Sequence, residues 1–153
     1  MNYSIHYFDY FIDQGRIKVW LVIMGLVFVL FPNISSATEE IVLPRPGQMI
    51  NIDTHKLHLY CLGEGQPTII MDAGLGGFSL EWFRSQQLLA QSTKVCVYDR
   101  AGYGWSEAGP MPRTSSRIAD ELYLLLTRAR IQGPYVLVGH SFGGYTIQLF
   151  ASR

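Results

Sequence analysis

The stretch that decides the fold lies at residues 135–153, YVLVGHSFGGYTIQLFASR. Tyr135–Val138 is a short β-branched apolar run of the kind that forms a strand buried on both faces. A helix is expected to begin at Phe142. Between them stands Gly139-His140-Ser141-Phe142-Gly143, a G-x-S-x-G pattern at a strand-to-helix turn. A turn this tight puts the serine in an unfavourable backbone conformation and leaves no room for a side chain at 139 or 143. Gly144 is expected to let the new helix pack close to the sheet. Ser141 then sits at a helix N-terminus, where free N–H groups favour a developing negative charge. That is the setting of a nucleophile, and a nucleophilic serine needs a base. Only FGGYTIQLFASR follows Ser141, with no acid and no histidine.

Upstream, two more short apolar runs, Thr68–Met71 and Lys94–Tyr98, have the same buried-strand character. Two helical segments are expected between the runs, at about 79–90 and about 117–130. In the second, Ile118, Leu122, Leu125 and Ala129 share one face. Ser115 or Ser116 is placed to cap its start, Asp120 and Glu121 fall in the first turn, Arg128 and Arg130 in the last, and Gly133-Pro134 stops it. Before these, Ile50 and Ile52, then Leu57, Leu59 and Cys61, alternate with polar residues around Asp53–Lys56, which reads as a hairpin turn. Strands alternating with helices imply an α/β fold: a parallel sheet with flanking helices, led by an antiparallel hairpin.

The first 37 residues are of another kind. Val19–Phe31 reads VWLVIMGLVFVLF, with Arg16 and Lys18 before it and Ser35-Ser36-Ala37 after it. A cleaved secretory signal, a retained membrane anchor and a buried core helix all fit the pattern. The first two place the remainder outside the cytoplasm, by the basic residues ahead of the run. Residues 38–47, TEEIVLPRPG, read as a linker, giving an N-terminal segment 1–37, a linker 38–47 and a domain 48–153. Twelve basic and twelve acidic residues cancel, so nothing points to nucleic acid. Cys61 and Cys96 each sit in a strand-like run and are expected to pack; an exported location permits a bridge without requiring one. No Cys/His cluster has metal-ligand spacing, nucleotide-binding glycine patterns are missing, and no cofactor is implied.

Three motifs at the ends of successive strands, DAGLGG at 72–77, DRAGYGWS at 99–106 and GHSFGG at 139–144, together resemble the N-terminal portion of the α/β-hydrolase fold superfamily. The resemblance runs from about Met49 to Arg153. It implies that Ser141 is a catalytic nucleophile on a nucleophile elbow, and that the backbone N–H groups of Leu75 and Phe142 form the oxyanion hole. Asp72-Ala73 stands where the family often has His-Gly, which leaves the backbone donor in place. Asp99 and Arg100 are expected to be structural, and Tyr103 and Trp105 to pack in the core, with contact to substrate as the alternative.

The family's triad runs Ser, acid, His in chain order. His6 lies before the apolar run, His140 is next to the serine at a turn that makes the two side chains diverge, and His55 and His58 are expected as a turn residue and an exposed strand residue far from Ser141. The expected function is therefore that of a parent serine hydrolase acting on a small ester-like or acyl substrate through an acyl-enzyme at Ser141. The chain as written is expected to be a fragment, membrane-associated if the first segment is retained. A non-catalytic, membrane-anchored remnant or binding module of the same fold is the alternative.

Overall fold

The computed structural model describes residues 44–153. The apolar run 19–31 and its signal or anchor reading lie outside the described residues. Among those described, no helix is long and apolar enough to cross a membrane.

Among the described residues, five strands form one sheet in the order β1-β2-β4-β3-β5: β1 Gln48–Asn51, β2 Lys56–Leu62, β3 Thr68–Asp72, β4 Val95–Tyr98 and β5 Tyr135–Gly139. The expected hairpin is present. β1 and β2 pair antiparallel from Gln48↔Leu59 to Asn51↔Lys56, and Asp53 takes φ 80° in the turn between them. β2 then pairs antiparallel with β4, and β3 runs parallel to both β4 and β5. A short 3-10 helix, Ser79–Trp82, leads into α1 Phe83–Leu89; α2 is Ser115–Arg128 and α3 Phe142–Ala151.

β4 is buried on both sides because helices cover both faces of the sheet. Its alternate residues divide the core in two. Cys96 and Tyr98 join Leu57, Leu59, Ile70, Leu122 and Leu125 on one face. Val95 and Val97 join Met71 on the other, beside Trp82 and Ala90. α2 supplies the helical half of the larger cluster through Leu122, Leu125 and Leu126, and also buries Ile118 and Ala119. Leu122 and Leu125 are fully buried, and each such side chain contributes about 2 kcal/mol.

Several expectations need correction. Thr114, not Ser115 or Ser116, caps α2: its backbone is extended and its hydroxyl accepts from the Arg117 N–H at 3.2 Å. Because the helix starts at Ser115, Asp120 and Glu121 fall beyond its first turn, and Arg130, at φ 57°, lies past its end. Cys61 and Cys96 form a disulfide, since β4 settles beside β2 with these two residues directly opposite, their Cα atoms 4.1 Å apart. His55 and His58 are both buried. The outward face of β2 at His58 is covered by the loop after β4 and by residue 46, so strand alternation did not leave it in solvent.

Candidate active site

The chain crosses from β3 to β4 on one side, then passes back over β3 to place β5 on its other side. That reversal is a topological switch point, where the ends of adjacent parallel strands diverge and leave a crevice. Here it sets the loop after β3 beside the turn after β5. Asp72 pairs with Gly139 in register, and His140 N–H extends the ladder by donating to Asp72 O at 3.0 Å.

Ser141 occupies the turn with φ 50° and ψ −115°, one of three non-glycine residues with positive φ among those described. Strain of this type persists only where the surroundings over-determine it. Those surroundings are the two glycines. A Cβ on Gly139 would stand 2.6 Å from Gly144 N, and one on Gly143 would stand 2.7 Å from Ala73 O and closer still to Asp72 O. Gly144 is different: a Cβ there meets nothing within 4 Å. The close approach of α3 to the sheet therefore depends on Gly143, and the role expected of Gly144 is corrected.

Ser141 is exposed and lines an open cleft with Gly144, Tyr145 and Gln148. Leu75 projects from the loop after β3, 73% exposed, and shares a separate small cavity of about 100 Å³ with Phe142, Arg100 and Tyr103. Among the described residues, the N–H groups of Leu75 and Phe142 donate to no backbone carbonyl. The residues that carry the candidate oxyanion donors thus share one cavity, and the serine lines another. A more apolar cavity of about 260 Å³, between Pro44, Pro46, Phe83 and Trp105, includes no residue of either loop.

Charge under the loop after β3 comes from residues that sequence reasoning treated only as loop structure. Arg100 and Asp72 form a buried ion pair, so Asp72 has a partner that its sequence position did not reveal. Burial pushes the Asp72 carboxyl above its usual range, and the Arg100 guanidinium pulls it back only in part. Asp99 faces the other way. It accepts from Ser79 N–H at 2.7 Å and Trp105 N–H at 2.9 Å, and its Oδ2 lies 3.0 Å from His58 Nδ1. Burial alone would raise the Asp99 carboxyl, but the contacts with His58, Trp105 and Ser79 outweigh it and hold the group below its usual range. His58 Nε2 lies 2.6 Å from Pro46 O, and Trp105 packs against His58 and Phe78. Asp99 and Arg100 thus each make buried hydrogen bonds to backbone groups of neighbouring segments.

The described histidines all point elsewhere. His55 lies beside Glu121, His58 beside Asp99, and His140 Nδ1 is 3.8 Å from Glu81 Oε2. Among the described residues, no histidine is hydrogen-bonded to Ser141.

A family model described as alpha/beta hydrolase fold matches residues 67–153. The chain is 30% identical over 118 residues to an uncharacterized vacuolar membrane protein of Saccharomyces cerevisiae, covering 65% of this chain and 18% of that protein. Among solved structures, a thermophilic esterase of Thermogutta terrifontis superposes with a TM-score of 0.64 at 28% identity, covering 70% of this chain and 41% of the esterase. An enol-lactonase of Burkholderia xenovorans superposes with a TM-score of 0.63 at 26% identity, covering 69% of this chain and 42% of the lactonase. The chain therefore spans under a fifth of the yeast relative and about two fifths of each solved hydrolase. The matched residues take in β3 to α3 with both loops of the switch point, and the chain belongs to the alpha/beta hydrolase fold family.

Proposed function

We propose that the complete protein is a serine hydrolase that cleaves an ester or related acyl bond of a small molecule. The observation that carries this reading is the backbone of Ser141, held at φ 50° between a buried strand and a helix by glycines that tolerate no Cβ. In the reaction, Ser141 Oγ attacks the carbonyl carbon and its proton passes to a base. The N–H groups of Leu75 and Phe142 hold the oxyanion. The carbonyl re-forms as the bond to the leaving oxygen breaks, and the proton is delivered to the departing alcohol. Water then attacks the acyl-enzyme and releases the acid. We assign the base and its acid partner to none of the described residues; they belong to parts of the protein outside them. The names of the esterase and lactonase neighbours support an acyl substrate.

In the same reading, residues 48–153 are the first part of a hydrolase domain. It is joined by the linker 38–47 to a segment, 1–37, that acts as signal or anchor and places the domain outside the cytoplasm. The vacuolar membrane relative supports a membrane setting.

A second reading, a membrane-anchored remnant or binding module without activity, is favoured for these residues alone by the lack of any described histidine bonded to Ser141. A fluorophosphonate probe separates the two. Labelling of the full-length protein that disappears in Ser141→Ala supports the hydrolase. A folded full-length protein that takes no label is the inactive module.

A further inference from the structure

We infer that Arg100 is a positioning residue of the reaction, one that aims the oxyanion hole by gripping the carbonyls behind it; this rests on the serine-hydrolase reading above. The guanidinium is buried under the loop after β3. Its Nη1 donates to Ala73 O at 2.6 Å, and its Nη2 donates to Gly74 O. The 74–75 peptide is trans, and in a trans peptide the C=O of one residue and the N–H of the next point in opposite directions. Holding Gly74 O towards Arg100 therefore turns the Leu75 N–H away from it, on the face of the loop opposite the guanidinium. Gly77 N–H donates to the same carbonyl at 3.2 Å, which fixes that peptide plane from a second direction.

The neighbouring N–H is already taken. Gly74 N–H faces Glu81 Oε2 at 3.4 Å, so of these two adjacent donors Leu75 is the one left free. The loop also abuts the nucleophile turn, because a Cβ on Gly74 would stand 3.0 Å from His140 Nδ1, one residue before Ser141. Arg100 reaches the second donor residue as well. Its guanidinium carbon lies 5.4 Å from the centroid of the Phe142 ring and 5.3 Å from that of Tyr103, distances at which a cation is attracted to a ring face. Leu75, Arg100 and Phe142 line one cavity. Asp72, paired with Arg100 from the end of β3, holds the guanidinium in place. A lysine offers a point charge without the planar fork that spans two carbonyls, so Arg100→Lys keeps the charge and loses the double grip.

The test is made on the full-length protein with a fluorophosphonate, whose adduct on Ser141 places a phosphoryl oxygen in the oxyanion hole. Loss of one oxyanion donor slows such reactions by about 10²–10³-fold. A misaimed donor should fall somewhat short of that, so phosphonylation of Arg100→Gln is expected to slow by about 10–100-fold. Its adduct's 31P resonance should move towards that of a free phosphonate ester, and with p-nitrophenyl acetate kcat should fall while KM holds. Arg100→Lys should restore part of the rate. The double variant Asp72→Asn/Arg100→Gln leaves no unpaired buried charge and replaces Arg100→Gln where the single variant does not fold. In the wild type the amide protons of Leu75 and Phe142 should both shift downfield on phosphonylation, a readout that needs no variant. A folded variant that reacts at the wild-type rate with an unchanged 31P resonance, or a Leu75 amide that does not respond, overturns the inference while Ser141 labelling stands. A wild-type protein that takes no label overturns the serine reading, and this one with it.

Discussion

Gly143 and Gly144 are consecutive in sequence, and alanine at the two positions should act in opposite directions. At 143 the new Cβ would stand 2.7 Å from Ala73 O and closer to Asp72 O. Both are backbone atoms at the end of β3, and Asp72 O already accepts from His140 N–H in the ladder to β5. Neither can swing aside as a side-chain tip would, so relief requires α3 to lift or the ladder to open. Overpacking of this kind costs about 3 kcal/mol at the upper end of the usual range. Alanine in place of glycine in a helix returns about 0.5–1 kcal/mol, leaving a net loss near 2 kcal/mol. At 144 nothing lies within 4 Å, and only the helical gain of about 0.5–1 kcal/mol remains. At about 4 °C per kcal/mol for a chain of this size, Gly143→Ala should melt roughly 10 °C below Gly144→Ala. Thermal denaturation of the two variants beside the wild type, followed by circular dichroism, measures the gap. Melting points within about 2 °C of one another, or in the reverse order, would refute the view that α3 rests on the sheet through Gly143.

Two further outcomes are expected. The bond between Cys61 and Cys96 closes a loop across a sequence separation of 35, so replacing both by alanine should cost about 3–4 kcal/mol in urea denaturation; the unreduced, denatured wild type should release no thiol to Ellman's reagent, and two titratable thiols would disprove the bridge. The Asp99 carboxyl is held below its usual range, so its stabilisation is complete above the unfolded pKa of about 4 and is lost as pH falls through the lower folded value. The gap in Tm between wild type and Asp99→Asn should therefore shrink on acidification below about pH 4, and a gap that stays constant down to about pH 2 would contradict the assignment.

The order of strands and helices was legible because each buried strand is a short β-branched run ending in Asp or Gly, and because the Ile118, Leu122 and Leu125 stripe has helical period. The lateral order of the strands was not. β3 lies between β2 and β4 in sequence but not in the sheet, so nothing local shows that Cys61 faces Cys96. The same gap hid the environment of His58. Alternation placed it opposite Leu57 and Leu59, but only the neighbouring strand brings Asp99, and only the loop after it brings Trp105, to cover that side. For the cap of α2, three hydroxyl residues in a row, Thr114, Ser115 and Ser116, satisfy the same local rule. The extended backbone at Thr114 decides between them, and it is set by the path of the preceding loop. At the candidate site the glycines at 139 and 143 could be read from the pattern, since a tight elbow has one steric solution. Which residue holds the opposing loop could not, because Asp72 and Arg100 meet only through the parallel pairing of β3 with β4.

Asp99 and Arg100 show how one loop serves two ends. Successive residues leaving a strand point to opposite sides. Asp99 takes the side of His58, Ser79 and Trp105, and so ties the hairpin and the entering chain at Pro46 to the sheet. Arg100 takes the side of Asp72, Ala73 and Gly74, and so fixes the loop next to the nucleophile turn. Neighbours in sequence, they should give separable readouts. Asp99 meets the segment after β3 at its far end, through Ser79 N–H, and not at the Ala73 and Gly74 carbonyls that Arg100 holds, so its loss should appear in stability and in the acid limb of unfolding while the reaction rate of the folded fraction holds. Arg100 contacts that loop directly, so in folded variants its loss should appear in the rate of reaction at Ser141. Equal effects of both residues on rate per folded molecule would mean that the loop behaves as a single rigid unit, and the division of labour drawn from the opposed side chains would fail.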